Sequence, residues 1–592
     1  VLDSLFTRAG ELTGVHVETL AGQEDFLNLA ARFAHLPGTV VLLSGGDLDC
    51  SRYHLLGAMP WLTMAGYTRE TRITLDDHTV SVEDNPLAVL RSVLNRFRLP
   101  ESPWPQPMAA GLMGYLAYDL KDALEVLPRT SVDDSQLPQM LLYAPSILLV
   151  HDKQTGSTQL MVPRRSVADF DVHAWVARFR KAAAEPCHGA DDFGTRTDAL
   201  QPNFTQPEYE AAVQRVIDYI AAGDVYQVNL SQRFRVPFEG NAFALFRHLY
   251  AQNPAPFFAF VQAGDHQIVS TSPERFLLRT GAEVETRPIK GTRPRGKTVA
   301  EDRAMREALT DSRKDDAELS MIVDLLRNDI GKVCAAGSVN VAEHKRLEAY
   351  QNVYHLVSVV QGRLDAGKDS VDLIEAAFPG GSITGCPKIR AMEIIDELES
   401  CRRHVYCGSI GYLSFHDTMD LSIAIRTATI LNDTMSFSVG GGIVYDSDPR
   451  LEYEETLHKG RTLTSACRGS QSQERPDMVW LNGRLVRGRS AAIPVTDQGV
   501  LYGFGFFETI RADQVRAPLW ADHMSRFAET WHALMPGPLP DTAWDDIVDQ
   551  VLTANGLQGR CAAVKILATR GSRTLPPWDN ALLVTARPYT HR

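Results

Sequence analysis

Lys290 stands in the run Arg287-Pro-Ile-Lys-Gly-Thr-Arg-Pro-Arg-Gly296, a single amine set among guanidinium groups. An amine in a loop of that kind could attack, or simply hold, a carboxylated substrate. Most lysines are solvated surface charges, and with Arg293, Arg295 and Lys297 beside it the run would also serve as a plain anion patch. Sixteen residues earlier Glu274 lies in Thr271-Ser-Pro-Glu-Arg-Phe276. Further acids come in pairs, Asp315 with Glu318 and Glu452 with Glu455, the second pair followed by Lys459. Helical spacing puts the members of each pair on one face. Paired acids on a helix are usually solvated charge, so the residues alone do not decide between a site and a surface.

The elements that must position them are legible in outline. Glu285 to Lys290 alternates like a strand, and Gly291 frees the backbone to turn close to a ligand, so Lys290 is expected to project from a strand end into a pocket. Asp315 to Asn328 has helical spacing, and Asp448-Pro449 predicts the start of a second helix. Thr205-Gln-Pro-Glu208 reads as a capping box opening a helix whose apolar face is Tyr209, Val213, Val216, Ile217 and Ile220. Short β-like runs, 39–44 and 146–150, mix with a helical stretch at 86–98 before this point. The spacing predicts residues 1–200 as an N-terminal part, 201–467 as a core, 468–477 as a polar linker, and 478–592 as a further unit opening with a hairpin at 479–486.

At 592 residues the chain exceeds what one hydrophobic core usually serves. A net charge of −13 disfavours nucleic acid as a partner, since phosphate binding needs a basic face. The longest apolar stretch, Met140 to Val150, is strand-sized, so no membrane association is expected. The opening Val-Leu-Asp lacks a basic, apolar leader, and a cytoplasmic protein is the simplest reading. Eight scattered cysteines, without a C-x-x-C pair, read as reduced thiols.

These segments resemble the motifs of the chorismate-utilising enzymes. The resemblance continues through Met321-Ile-Val-Asp-Leu-Leu-Arg-Asn-Asp329, Gln351-Asn-Val-Tyr-His355, Phe378-Pro-Gly-Gly-Ser-Ile-Thr-Gly-Cys-Pro-Lys388 and Asp446 to Lys459, covering roughly residues 205–465 in order. It implies an α/β (α+β) fold, a two-sheet β-sandwich surrounded by helices. Chorismate is then the expected substrate and Mg²⁺ the expected cofactor, with Glu318 and Glu455 as ligands and Asp315 and Glu452 as outer carboxylates. Arg426, Tyr406 and the backbone of Gly440, Gly441 and Gly442 are implied to hold one substrate carboxylate, and Ser382 and Lys459 to lie near the other. Gly291 is implied as a further substrate-binding residue.

Within the family the branch that forms aminodeoxychorismate reads Pro-Ile-Lys-Gly-Thr, as here, whereas anthranilate synthases have alanine at the lysine. The implied reaction is attack of Lys290 on the ring, protonation of the departing hydroxyl by Glu274, and displacement of the lysine by ammonia, with His355 and Thr292 as polar groups over the ring. This requires Glu274 to hold a proton and Lys290 to lose one. Gln227 stands where water-using members carry a lysine base, which favours ammonia over water. No Gly-x-Cys-x-Gly turn occurs, so a separate glutamine amidotransferase is the expected ammonia donor. The alternatives are an anthranilate synthase component, or a silent scaffold that binds an amidotransferase.

Two shorter resemblances remain. Ser44, Arg52, Pro254 and Phe257 resemble the lining of an amino-acid site in related enzymes. Residues 478–592 resemble the first lobe of a fold type IV pyridoxal-phosphate enzyme through Asn482-Gly-Arg484, Asp497 to Gly503, Gly505-Phe-Phe-Glu-Thr509 and His523-Met-Ser-Arg-Phe527, with Arg526 as a phosphate contact. The Schiff-base lysine of such enzymes belongs to a second lobe, so pyridoxal phosphate is expected only where that lobe completes the unit, and Lys565 does not match it.

Overall fold

The computed structural model describes every residue except 1, 21–24, 100–103, 169, 187–192, 196–198, 467–477, 489–490, 513–518, 536, 560, 573–579 and 590–592. The polar linker expected at 468–477 lies outside the described residues. Two compact units are present, Val1–Gly469 and Ser470–Arg592.

The first unit is organised by two long antiparallel strands, Tyr53–Tyr67 and Met140–Asp152, paired from Tyr53 opposite Asp152 to Gly66 opposite Met140. Pro60 faces Pro145, and the register shifts there. Neither proline can donate to the ladder, so the pairing breaks at that point and the two strands are free to serve two arms of sheet. One arm passes through Thr39–Leu43, Phe257–Gln262, His266–Ser272, Thr427–Leu431 and Thr434–Ile443 to Gln227–Gly240. The other passes through Gly111–Leu116, Ser409–Ser414, Thr418–Ile423, Arg275–Thr280 and Glu283–Arg287 to Val353–Arg363, which also carries Ile289–Pro294 and Asn340–Ala349. Strands from before and after residue 200 therefore pair directly in both arms, Thr39–Leu43 with Phe257–Gln262 and Gly111–Leu116 with Ser409–Ser414, and that boundary is a connection inside one unit.

Among the described residues every pairing between these strands is antiparallel, and apolar side chains fill two clusters, one around Phe97, Tyr115 and Leu116, the other around Phe33, Phe246, Phe258 and Phe260. The mixed α/β class with a large antiparallel sheet is borne out. Helices begin where the caps place them. Glu208 accepts from the Thr205 backbone N–H (2.8 Å) and opens Gln206–Ala221, which buries Tyr209, Val213 and Val216. Asp448 Oδ1 accepts from Arg450 and Leu451 N–H, 3.0 Å each, and opens Pro449–Ala466. Ser312 caps Arg313–Gly331.

One local expectation changes. Lys290 is not at a strand end: Pro288 splits the predicted strand, and Lys290 is the second residue of Ile289–Pro294. Gly291, at φ +78°, forms a bulge inside that strand, with the register to Val353–Arg363 shifting between Lys290 and Thr292. A bulge re-aims the side chain beside it while the ladder continues.

The second unit has a five-stranded sheet with helices Trp520–Leu534 and Trp544–Ala554 over a core of Trp480, Phe527 and Trp531. Its opening hairpin turns at Asn482 and Gly483, both with positive φ, the geometry a two-residue Asn-Gly turn supplies. Among the described residues no helix is long and apolar enough to cross a membrane.

Candidate active site

Lys290 is half-buried, and its Nζ donates to the Ser382 carbonyl at 3.5 Å. The hydroxyl of the same serine bonds the carboxyl of Glu274, so Ser382 touches both side chains. Glu274 sits between His266–Ser272 and Arg275–Thr280, 5% exposed. Burial pushes its pKa up to about 7, against the opposing pull of Ser382, Lys290, the Ile289 N–H and Arg426. A carboxyl tuned in this way holds or releases a proton near neutrality.

Thr292, on the far side of the bulge, hydrogen-bonds His355 Nδ1 at 2.8 Å. His355 is fully buried, with Tyr350 edge-on at 4.8 Å between ring centroids. Desolvation, helped by the nearby Arg426 charge, pushes its pKa down to about 3. The imidazole is therefore neutral at physiological pH and acts as a hydrogen-bonding group, with Nε2 buried and without a protein partner among the described residues.

Arg426, at φ +50°, lies between Thr418–Ile423 and Thr427–Leu431, its carbonyl accepting from Thr271 N (3.0 Å) and Oγ1 (3.2 Å). Its guanidinium has no hydrogen bond or ion pair to protein among the described residues, and burial draws its pKa below the usual arginine range. A guanidinium set into a protein without a carboxylate is a receptor for one. Tyr406 is buried next to Cys407, whose thiol feels the Glu274 charge.

A second cluster gathers at the glycine run. Gly440, Gly441 and Gly442 pair with Ser231, Leu230 and Asn229. A Cβ on Gly442 would meet the Gln227 amide nitrogen at 1.8 Å, so the buried Gln227 occupies the space a side chain would take. The helix Pro449–Ala466 approaches the same run. A Cβ on Gly441 would come within 3.1 Å of Glu452 Oε2, and Lys459 Nζ reaches the Gly440 carbonyl at 3.0 Å and Glu455 at 2.6 Å. Asn229 is a residue the sequence reading leaves unassigned: its Oδ1 is buried beside Gly440 with no donor among the described residues. Its signal is alternation, since 227 and 229 share one strand face.

The other acid pair lies behind Lys290. Asp315 takes Arg293 at 3.0 Å, and a Cβ on Gly291 would meet Asp315 Cβ at 3.1 Å and Leu309 Cδ1 at 2.9 Å. Gly291→Ala is thus expected to cost about 1–2 kcal/mol in backbone strain and to move Lys290, lowering kcat by roughly 10²-fold; steady-state kinetics and a melting curve on the variant check both. Glu318 is half-exposed one turn along the same helix. Among the described residues no three His, Cys, Asp or Glu side chains are close enough to enclose a metal. The candidate donors, Glu318 with Asp315 and Glu455 with Glu452, are carboxylate oxygens on two helices, the hard ligand type that suits Mg²⁺.

The remaining candidate residues fall in two places. Ser44 N donates to His54 Nδ1 (3.1 Å), Arg52 is held by Asp152 (2.8 Å), Gly45 packs on Pro254, and Phe257 lies under the Arg275 guanidinium at 5.2 Å. They share one region of the sheet, and Asp49 ties it to Arg287 at 2.7 Å, three residues before Lys290. In the second unit Arg526 is engaged by Glu508 (3.1 Å) and lies against His523, while Lys565, the only lysine beyond Lys459, rests 3.8 Å over the Phe507 ring.

Residues 51–465 match the chorismate binding enzyme family, and residues 505–592 match amino-transferase class IV. Aminodeoxychorismate synthase component 1 of Escherichia coli (strain K12) is 42% identical over 431 residues, 72% of this chain and 93% of that one. Anthranilate synthase component 1 of Cereibacter sphaeroides is 37% identical over 477 residues, 78% of this chain and 95% of that one. Among solved structures, anthranilate synthase component I from Streptococcus pneumoniae TIGR4 superposes with a TM-score of 0.63 at 30% identity, covering 71% of this chain and 93% of that one. The isochorismate synthase MenF of Escherichia coli shares the fold at 16% identity, TM-score 0.60, covering 79% and 98%.

Proposed function

The chain belongs to the chorismate binding enzymes, and we propose that within this chorismate-utilising family it forms 4-amino-4-deoxychorismate from chorismate and ammonia, the step toward 4-aminobenzoate and folate. The observation that carries the proposal is Lys290, a half-buried amine at Ser382 whose neighbour Glu274 has a pKa near 7. Transfer of the lysine proton to that carboxylate yields nucleophile and acid together.

Lys290 then adds at C2 of the ring, the double bonds shift, and the C4–oxygen bond breaks as Glu274 delivers its proton, releasing water. Ammonia adds at C4, the electrons return, and the C2–nitrogen bond to Lys290 breaks. Arg426 would hold one substrate carboxylate by its planar fork. Neutral His355, bonded to Thr292, would pack over the ring without adding a positive charge near the departing hydroxyl. Glu318 and Glu455, backed by Asp315 and Glu452, would hold Mg²⁺, which when bound would supply Lewis-acid polarisation of the other carboxylate. Gln227 cannot act as a base for water. A separate amidotransferase would supply the ammonia from glutamine.

With chorismate, Mg²⁺ and ammonium, the purified protein is expected to give 4-amino-4-deoxychorismate by liquid chromatography and mass spectrometry. Anthranilate fluorescence would assign it to the other branch, and no consumption of chorismate would leave it a scaffold.

A further inference from the structure

The segment Phe378–Lys388 brings Ser382 to the site, and its last residue has no part in the chemistry above. Lys388 is the first residue of the helix Lys388–Leu398, and its Nζ donates to two groups at once, Asp329 Oδ2 at 2.6 Å and the Ala377 carbonyl at 2.7 Å. Asp329 is buried near the end of Arg313–Gly331, the helix that carries Asp315 and Glu318, and stands three turns from Glu318. Ala377 is the last residue of the helix Ser370–Ala377, where a cation meets the negative end of the helix dipole. One amine therefore joins three helices and closes the loop 378–387 at its base.

The loop is fitted closely between that base and the catalytic groups. Gly381 lays bare backbone on the helix of Asp315 and Glu318, since a Cβ there would meet Leu325 Cδ2 at 2.6 Å. The Ile383 carbonyl accepts from Arg403 Nη1 at 2.9 Å. Between them stands Ser382, whose carbonyl receives Lys290 and whose hydroxyl bonds Glu274. Arg403 thus fixes the loop just after Ser382, and the bond from Lys388 to Ala377 fixes it where it leaves the helix before. We propose that Lys388 is a positioning residue: it sets the Ser382 loop, and through Ser382 the Glu274 carboxyl and the Lys290 amine, against the helix that bears Asp315 and Glu318. The inference rests on the reading of Ser382, Glu274 and Lys290 as one site.

Lys332 supplies the control. Its exposed Nζ reaches the other oxygen of Asp329 at 3.3 Å and the Ala376 carbonyl at 3.4 Å, outside the loop. Removing either lysine leaves the buried carboxylate one cation, so Lys388→Met and Lys332→Met share a charge loss and differ in the closure of the loop.

The test compares these two variants of the full chain by hydrogen exchange of the 378–387 peptide and by chorismate consumption across pH, whatever the product. In Lys388→Met, exchange in the peptide is expected to rise about tenfold or more, and kcat/KM to fall about tenfold or more. The limb of its pH profile near pH 7 should move upward, because the Ser382 hydroxyl that lowers the Glu274 pKa is displaced. Lys332→Met should keep the wild-type exchange, rate and limb. Where Lys388→Met fails to fold, Lys388→Gln, which keeps a neutral donor for the Ala377 carbonyl, is compared with Lys332→Gln by the same readouts and should show the same changes in smaller degree. Equal losses in the two lysine variants, or wild-type exchange and rate without Lys388, would overturn the proposal. Anthranilate as the product would overturn the reaction assigned above and leave this inference standing, and a chain that consumes no chorismate would leave the exchange comparison to decide it.

Discussion

Lys290→Ala is expected to give a folded enzyme that forms no covalent adduct with chorismate. The side chain makes one long hydrogen bond, 3.5 Å to Ser382, and is half-buried, so its loss should cost little stability. Its loss to chemistry is larger, because no other amine in the described site is within reach of the role: Lys459 is held by Glu455 and the Gly440 carbonyl. Formation of 4-amino-4-deoxychorismate should fall by roughly a hundredfold or more, about 3 kcal/mol of transition-state stabilisation. Quenched turnover followed by peptide mass spectrometry reads the adduct directly. An adduct of unchanged yield in the variant would remove the lysine from the mechanism, while anthranilate appearing in its place would mean that ammonia attacks C2 once that position is free.

What the sequence discloses about this site divides along physical lines. Caps and local periodicity are short-range, so Thr205 with Glu208 and Asp448 with Pro449 place two helices correctly from a few residues each. The types of the reactive groups are equally local. Their partners are not. Lys290 and Ser382 are 92 positions apart, and nothing in either segment alone says that one carbonyl receives the amine. The bulge at Gly291 was similarly hidden, since a glycine after an alternating run serves a turn or a bulge equally well, and only the ladder to Val353–Arg363 distinguishes them. That the Arg426 guanidinium has no ion pair among the described residues depends on where distant carboxylates fall in the fold, which no local pattern contains.

The environment of Glu274 was the least legible property, and it carries the second large expectation. In the unfolded chain its carboxyl ionises at the ordinary value near 4.5, whereas burial raises it to about 7 in the folded protein. Between these values the unfolded state gives up its proton first, so stability contributed by the protonated carboxyl is present below about pH 4.5 and is lost as pH rises to about 7. The gap is worth about 3 kcal/mol. Glu274→Gln keeps the shape of the protonated acid and cannot ionise. It should therefore melt close to the wild type at pH 5 and above it at pH 8, while its rate falls by roughly 10²–10⁴-fold. The rising limb of the wild-type kcat/KM profile should sit near pH 7 and be missing from the variant, because below it the carboxyl already carries a proton and cannot take the one Lys290 must lose. A variant that keeps the limb, or whose melting temperature tracks the wild type at both pH values, would show that the proton comes from elsewhere and that the buried carboxyl serves only to hold Ser382 and the Lys290 strand in place.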